Sequence, residues 1–381
     1  MKLEPSATRP AKPAERNAWV MAAVLAAMWA VLAILPATRA VFLTEGNIAT
    51  LLTQSAVLLV VSVGMTLVIV IRGIDLSVGA GVALTGVVAA LVSQKCGVAT
   101  GMVAAIGVGA AIGAWHGAWV GWLGVPAFVV TLAGFKAFRG GALVLSDARG
   151  LALDDRFDFL ATHASATVTW IAALAVLAAG IGLTLRDAHR RSAFGLQPIA
   201  TKLVAFRIAG QVLLAALVLA VFGHRGVPVP VLVAAAVALA GVFVTTRTRF
   251  GRHLYAIGGN PEAARLSGID VKQTTLGVYV ILGVLTAIAG LLLAARVNGV
   301  TPGSQGNLLE LDAVTAVVIG GTSLAGGRGS VVGTVLGTLV FATLANGMNH
   351  LRIDSNWQLI CTGLILLTAV LIDVLSKGRR S

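Results

Sequence analysis

The sequence predicts an all-α protein whose helices cross a membrane repeatedly, as a polytopic helical bundle. Hydrophobic residues make up 57% of the chain and charged residues only 11%, whereas a typical soluble domain has roughly 45–50% and about 25%. A helix needs about 20 mostly apolar residues to cross the hydrocarbon core, and such stretches recur with short polar breaks between them. Because backbone groups in lipid must find partners within their own segment, these stretches indicate a bundle of helices.

Glycine supports the same fold class. The chain contains 45 glycines, and they lie with alanine inside the apolar stretches as much as in the loops. Small residues let membrane helices approach one another closely, because packing drives their association within lipid. The composition therefore predicts a tightly packed bundle.

Apolar spans can be placed at intervals along almost the whole chain, and we expect about ten to twelve of them. The predicted spans are residues 18–36, 48–71, 76–94, 98–123, 126–145, 167–185, 208–222, 229–244, 274–295, 311–325, 330–349 and 357–374. Spans 76–94 and 311–325 are short or begin at polar residues, so each is a candidate for a re-entrant or broken helix. The predicted organisation is a tail over 1–17, a membrane domain over 18–374 and a tail over 375–381.

The basic residues predict the orientation of these spans. The formal net charge is +13, with lysine and arginine concentrated in both tails, in residues 186–207 and in residues 245–273. Since an even number of predicted spans separates each cluster from the next, the positive-inside rule places all of them, and both termini, in the cytoplasm. Nucleic-acid binding would require basic side chains on one face with interleaved aromatics, so we expect no nucleic-acid partner. The purpose of the basic stretch 186–207 stays open.

The chain has no motif for nucleotide or metal chemistry. It lacks the GxxxxGK[ST] loop that binds ATP phosphates, and its histidines have no metal-ligand spacing. Solvated loop or interface positions are the expected explanation for most of the histidines. Cys96 and Cys361 lie far apart and form no CxxC pair. We therefore expect no enzyme active site and no cofactor in this chain.

One internal echo is visible in the sequence. The pattern V-I-x-G-x-x-L-x-x-G-x-G occupies residues 70–81 and returns at residues 318–329. Chance matches are easy in a glycine-rich apolar chain, so coincidence is one explanation. The other is a pair of related halves with broken helices at matching places, where transporters build their pathway.

Acidic residues near predicted spans are the strongest candidates for contact with a solute, because a charge in lipid is costly. Asp75 lies between two apolar spans, and Glu310 and Asp312 open another. A carboxylate at a helix start also accepts backbone N–H bonds and suits the helix dipole. Capping and solute contact are both open for Asp75 and Asp312, and the two roles are compatible.

Residues 258–269 predict a short, well-capped helix between two spans. Asn260 suits the N-cap, Pro261 the first helical position and Glu262 the positive end of the dipole, while Gly268 ends the helix. Such a helix is a rigid feature that a soluble partner could hold. An amphipathic interfacial helix with Arg265 at the lipid headgroups is the alternative.

The pattern Glu262-Ala263-Ala264-x-x-x-Gly268 resembles the EAA loop of bacterial ABC importer permeases, which docks on the ATP-binding subunit. Three longer strings, at residues 64–80, 251–270 and 310–340, resemble the monosaccharide branch of these permeases, the ribose and xylose type. The resemblance extends from about Phe42 to Val374. Arg72 departs from it, because a small or polar residue is expected before Gly-Ile-Asp.

The resemblance implies an ABC importer permease fold in the bacterial inner membrane and an ATP-driven import of a monosaccharide, with D-xylose favoured by the chain length and by residues 186–207. The alternatives are an ABC permease for ribose or another sugar, and an ion-coupled secondary transporter. The implied partners are a cytoplasmic ATPase with two fused nucleotide-binding halves, which binds the ATP, a periplasmic sugar-binding protein, a second permease copy and membrane lipid. The implied coupling residues are Asn260, Pro261, Glu262, Ala263, Ala264, Arg265 and Gly268 within a cytoplasmic loop, 245–273. The candidate translocation residues are Asp75, Ser77, Asp312 and Thr315.

Overall fold

The computed structural model describes residues 13–193 and 201–378, which form helices almost throughout. The helices are α1 (Pro13–Ile34), α2 (Glu45–Val70), α3 (Val78–Cys96), α4 (Val98–Gly121), α5 (Ala127–Leu145), α6 (Ala166–Ala193), α7 (Thr201–Phe222), α8 (Val229–Arg247), α9 (Arg249–Gly259), α10 (Pro261–Leu266), α11 (Val271–Arg296), α12 (Leu309–Ile319), α13 (Val331–His350) and α14 (Ser355–Gly378). A 3₁₀ helix covers Asp155–Leu160, and β1 (Leu151–Ala152) pairs antiparallel with β2 (Gly299–Val300).

The described helices confirm a polytopic membrane protein. Nine of those in the described ranges are long and apolar enough to cross a membrane, namely α2 to α8, α11 and α13. Two shorter apolar segments lie in α1, at Trp19–Ile34, and in α14, at Ser355–Leu371. Together they fall within the range expected from the sequence. Parts of both predicted tails, residues 1–12 and 379–381, lie outside the described residues.

Of the two spans predicted to be short or broken, only residues 311–325 contain a shortened helix. The helix α12 has 11 residues, so it is about 16 Å long and covers about half of a hydrocarbon core of roughly 30 Å. The helix α3 is continuous over 19 residues, because the polar residues Asp75 and Ser77 precede its first turn. A break therefore occurs beside α12 and not within α3.

The helices differ sharply in how deeply the protein buries them. In α2 the protein itself buries 89% of the residues in an apolar stretch of 18 residues, whereas the corresponding share is 11% in α6 and 0% in α7. The centre of the bundle is formed by α2, α3 and α11. The hairpin of α6 and α7 lies at the periphery with its apolar side chains outward, as lipid contact requires. Its connection holds the basic stretch 186–207, of which residues 194–200 are outside the described part.

Helices α4 and α11 pack backbone against backbone along a row of glycines. Gly109, Gly113, Gly117 and Gly121 recur at every fourth position of α4 and face α11. A Cβ atom at Gly109 would overlap the carbonyl oxygen of Gly283, and one at Gly113 would overlap that of Tyr279. Only glycine permits this approach. We call this contact the glycine seam, and it makes α4 and α11 one rigid pair.

The bundle has two distinct ends, which we call the α10 end and the sheet end. Helix α11 runs between them, from Val271 beside α10 to Arg296 beside β2. After β2, residues 301–308 turn back into the bundle without regular structure, and Gly306 lies against Gly79 at the start of α3. Irregular backbone at membrane depth is tolerated only where it is buried in protein or lines a cavity.

Both copies of the sequence echo have the same form in the structure. The first runs from the end of α2 through residues 71–77 into α3, and the second from the end of α12 through residues 320–330 into α13. The two breaks meet at the α10 end, where the Gly327 N–H donates to the Val70 carbonyl oxygen at 2.9 Å. The two copies of the pattern therefore share a helix-break-helix form and lie in contact with each other.

Candidate functional site

The predicted capped helix is present as α10. The Asn260 Oδ1 atom accepts from the backbone N–H groups of Glu262, at 3.1 Å, and Ala263, at 3.0 Å. Pro261 occupies the first turn. Gly268 takes a φ of 81°, a left-handed conformation that favours glycine after a helix. Local rules alone therefore explain why the chain forms a helix here and why it is short.

The surface of α10 combines paired charge with an exposed apolar side chain. The Arg265 Nη2 group donates to Glu262 Oε1 at 2.7 Å, and this bond raises the pKa of the guanidinium. Because solvent screens so exposed a pair, it contributes little to the stability of the helix. Leu266 is 78% exposed, whereas Ala264 is buried against the protein. A single exposed apolar side chain is ordinary on a protein surface, so Leu266 alone does not identify an interaction site.

The end of α9, just before this helix, is clamped against both copies of the repeated sequence pattern. At Gly258, near the end of α9, a Cβ atom would overlap the carbonyl oxygen of Val70 and the backbone nitrogen of Gly327. The Tyr255 hydroxyl, one turn earlier, donates to the Gly329 carbonyl at 3.0 Å. We call this contact the α9 joint, and it ties the entry of α10 to the end of α2 and to the loop between α12 and α13.

Arg72 completes the α9 joint. Its Nε atom donates to the Gly258 carbonyl at 2.8 Å and its Nη2 atom to the Gly259 carbonyl at 2.6 Å. A cation at the carboxyl end of a helix is favourable, because carbonyl groups there lack helical partners. The backbone φ of Arg72 is 69°, which is unusual outside glycine. The departure from the family pattern thus has a structural role that the sequence did not show.

The exit from α10 is tied to a different part of the bundle. Asp270 is the N-cap of α11 and accepts from the Gln273 N–H at 2.9 Å. Helix α11 then packs on α4 along the glycine seam. As a result α10 stands between two arms, one leading through α9 to α2 and to the loop between α12 and α13, and the other through α11 to α4. A displacement of α10 acts on both arms together.

Asp75 and Ser77 belong to a buried polar cluster. Asp75 Oδ1 accepts from the Ser77 N–H and hydroxyl, each at 2.7 Å. Its other oxygen, Oδ2, lies 3.2 Å from His116 Nδ1. The Tyr279 ring lies edge-on to His116 with centroids 6.1 Å apart. Asp75 therefore does more than precede a helix, since its carboxylate joins α3 to α4.

His116 was not expected at this site. It is 1% exposed, so a solvated loop or an interface is the wrong explanation for this histidine. Its Nε2 atom and the Tyr279 hydroxyl have no hydrogen-bond partner within the described residues. The available signal was an ionisable residue inside a predicted span, but isolated histidines offer no spacing that distinguishes one from another.

Asp312 and Thr315 lie apart from that cluster, on α12. Asp312 lines a cavity of about 310 Å³ between α2, α11, α12 and α13. The Thr315 hydroxyl is buried and donates to the Leu311 carbonyl of its own helix at 2.7 Å. The four candidate translocation residues thus lie at two separate places in the bundle. Within residues 13–193 and 201–378, no group of three or more His, Cys, Asp or Glu side chains could hold a metal ion.

Substitution of Asp75 tests whether the buried cluster matters. Asp75→Ala leaves the Ser77 N–H, its hydroxyl and His116 without their partner, and each unsatisfied buried group costs about 1–3 kcal/mol. We expect a lower melting temperature for the purified protein and reduced transport. Asp187→Ala is the control, because Asp187 is exposed and unbonded in the described structure. Full transport and an unchanged melting temperature for Asp75→Ala would show that this carboxylate is needed neither for stability nor for transport.

These features define a polytopic helical membrane protein of the permease class, with an exposed helix joined to its core. The chain belongs to the family described as branched-chain amino acid transport system / permease component, which matches residues 47–370. It is 41% identical to the xylose transport system permease protein of Escherichia coli (strain K12), over 90% of this chain and 88% of the relative. No solved structure matches the chain.

Other relatives are permeases named for different sugars. The ribose import permease protein of Escherichia coli (strain K12) is 36% identical over 94% of this chain and 95% of its own. The D-allose transport system permease protein of the same strain is 34% identical over 87% of this chain and 84% of its own. The chain is therefore a multi-pass transport permease.

Proposed function

We propose that this chain is the membrane-spanning subunit of an ATP-driven importer of a monosaccharide, with D-xylose as substrate. The observation that carries the proposal is α10, an exposed and capped helix tied to both sides of the bundle. The family description names branched-chain amino acids, but relatives with high coverage are named for xylose, ribose and allose. The greater identity to the xylose permease favours a pentose.

The proposal includes specific partners and an orientation. A cytoplasmic ATPase with two fused nucleotide-binding halves would dock on α10, and a periplasmic protein would deliver the sugar at the sheet end. A second copy of the chain would complete the membrane part. The basic residues of the α10 end support its placement in the cytoplasm, with both termini on that side of the bacterial inner membrane.

The two arms suggest how force would pass through the permease. ATP binding and hydrolysis in the partner would move α10, and the rigid α9 joint and glycine seam would pass that movement to different helices. Unequal movement of the two arms would change which end of the bundle is open. Alternating access of this kind needs two discrete packed arrangements, each favoured by a different ligand state.

The proposed translocation path uses Asp75, Ser77, Asp312 and Thr315. The Asp312 carboxylate has direct support because it lines a cavity, and the Asp75 cluster has support from its unpartnered His116 and Tyr279 atoms. Contacts along such a path should be weak and polar, so that the solute can leave. Most of the selectivity would then belong to the sugar-binding protein.

The energy source distinguishes this function from an ion-coupled transporter. We expect D-xylose uptake to survive collapse of the proton and sodium gradients and to stop when ATP is depleted. Uptake should be measured with labelled sugar in cells that express the chain with its partners. Uptake that follows an ion gradient and persists without ATP would replace this proposal with secondary transport, for which a buried ionisable pair such as Asp75 and His116 would be a candidate relay.

Substitutions on α10 test the docking role directly. Glu262→Ala removes the ion pair, and Gly268→Val strains the left-handed turn after the helix, so we expect transport to be abolished while membrane insertion stays intact. Arg190→Ala is the control, because Arg190 is exposed on α6 and unbonded in the described structure. The measurements are sugar uptake and the ATPase activity of the reconstituted complex. Wild-type stimulation of the ATPase by both α10 variants would argue against coupling through this helix.

A further inference from the structure

The cavity beside Asp312 has the composition of a binding site. It measures about 310 Å³ and lies where the irregular residues 301–308 pass between α2, α11, α12 and α13. Its polar and aromatic lining comes from four helices and this turn segment. These residues are Gln54, Arg296, Ser304, Asn307, Asp312 and Phe341.

The charged side chains of the cavity have no partner in the part of the chain that the structure describes. Asp312 and Arg296 form no hydrogen bond or ion pair through their side chains within residues 13–193 and 201–378. The same holds for the side chain of Gln54. Charged side chains within a membrane domain are normally paired, or are retained for contact with a substrate. Here Arg296 and Gln54 are exposed and Asp312 is half-buried, so the cavity is open and a ligand can reach all three side chains.

The donors and acceptors of the cavity match a polyhydroxylated molecule. Arg296 offers only donors, the Asp312 carboxylate only acceptors, and Gln54 both. A sugar hydroxyl can both donate and accept a hydrogen bond. Two adjacent hydroxyls of one sugar can therefore bond together to a planar guanidinium, carboxylate or amide group. Phe341 supplies an apolar face for the ring carbons. The opposite charges balance, which favours a neutral ligand over an ion.

The size of the cavity further limits which ligands it can bind. Binding cavities for small molecules hold roughly 300–1,000 Å³, and this one lies at the lower limit. A single sugar ring suits that volume. The location also fits, because the cavity lies where the chain turns from irregular backbone into the short helix α12, and transporters place binding sites at discontinuous helices.

We propose that this cavity binds a monosaccharide during its passage through the chain, with Gln54, Arg296, Asn307 and Asp312 as hydrogen-bonding groups and Phe341 as the apolar wall. The proposal rests on the proposed transport function and adds a recognition site within a single copy of the chain.

Protection of a cysteine from labelling tests the proposal on the purified full chain. Ser304→Cys is introduced where Cys96 and Cys361 have been replaced by serine, and labelling by a small thiol reagent is followed with D-xylose present. At a sugar concentration about ten times Kd, we expect the labelling rate to fall about tenfold. Ser165→Cys in the exposed loop before α6 and sucrose are the controls, and neither should show protection. No protection by D-xylose, or equal protection by sucrose, would overturn the proposal.

Variants of the lining residues provide the second test. Gln54→Ala and Asp312→Asn should each raise the D-xylose concentration for half-protection, and the KM of transport, by about tenfold. Asp187→Asn should change neither. Unchanged KM in both cavity variants, with ATP-driven uptake intact, overturns the cavity site and leaves the transport function standing. Protection without any ATP-driven uptake supports the cavity site and overturns the importer.

Discussion

The Gly258→Ala substitution should abolish sugar uptake, whereas Gly259→Ala in the next position should leave uptake near the wild-type rate. A methyl group at Gly258 meets the Val70 carbonyl oxygen and the Gly327 nitrogen, while one at Gly259 meets no atom within 4 Å. Overpacking of this kind costs about 1–3 kcal/mol. Because backbone atoms form the contact, the α9 joint can relieve the clash only by separating, and α10 would then lose its connection to α2 and to the loop between α12 and α13.

Comparing the two variants separates the effect of contact at the α9 joint from the effect of helix propensity, since glycine is replaced by alanine at two neighbouring positions. Sugar uptake and sugar-stimulated ATPase activity should be measured in the reconstituted complex, after membrane content has been matched. We expect a loss of at least about tenfold in coupled activity for Gly258→Ala, as a barrier increase of about 1.4 kcal/mol requires. Equal activity of the two variants would show that movement of α10 does not pass through this contact.

The second large effect is expected at the glycine seam. Gly109→Val should lower the melting temperature and abolish transport, because the new side chain would force α4 away from the Gly283 carbonyl of α11. Gly107→Val should be tolerated, since no atom lies within 4 Å of the Cβ position at Gly107. Both substitutions place a β-branched residue in the same helix, so any difference between them reports on packing.

Thermal unfolding of the purified protein in detergent, followed by its tryptophan fluorescence, measures this difference. We expect Gly109→Val to destabilise the protein by about 1–3 kcal/mol more than Gly107→Val. Equal melting temperatures would mean that α4 and α11 can separate without cost, and the arm from α10 through α11 to α4 would then not be rigid.

Features governed by neighbouring residues could be predicted from the sequence. The caps of α10 depend on Asn260, Pro261 and Gly268, which are close in the chain, and all three act as expected. The recurrence of apolar stretches likewise predicts helices that span a membrane. Hydropathy does not locate the end of a helix, so residues 76–94 and 311–325 looked equally doubtful although only the second contains a half-length helix.

Features governed by contacts between distant segments could not be predicted. Arg72 and Gly258 meet through the folding of α2 against α9, and neither residue type indicates its partner. The pairing of Asp75 with His116 has the same origin. In the cavity, Asp312 stood out as an acidic residue at a span, but Gln54 and Arg296 resembled ordinary polar residues near helix ends. Their common location depends on how residues 301–308 enter the bundle.

The short length of α12 has a consequence for the distance that a solute must travel. Asp312 lies in the first turn of this helix, and its last residue, Ile319, precedes the loop that touches α9. A molecule held beside Asp312 would be separated from the far end of this helix only by residues 313–319, a length of about 10 Å. Tilting so short a helix between glycine-containing turns requires a much smaller displacement than moving a helix that crosses the whole bilayer.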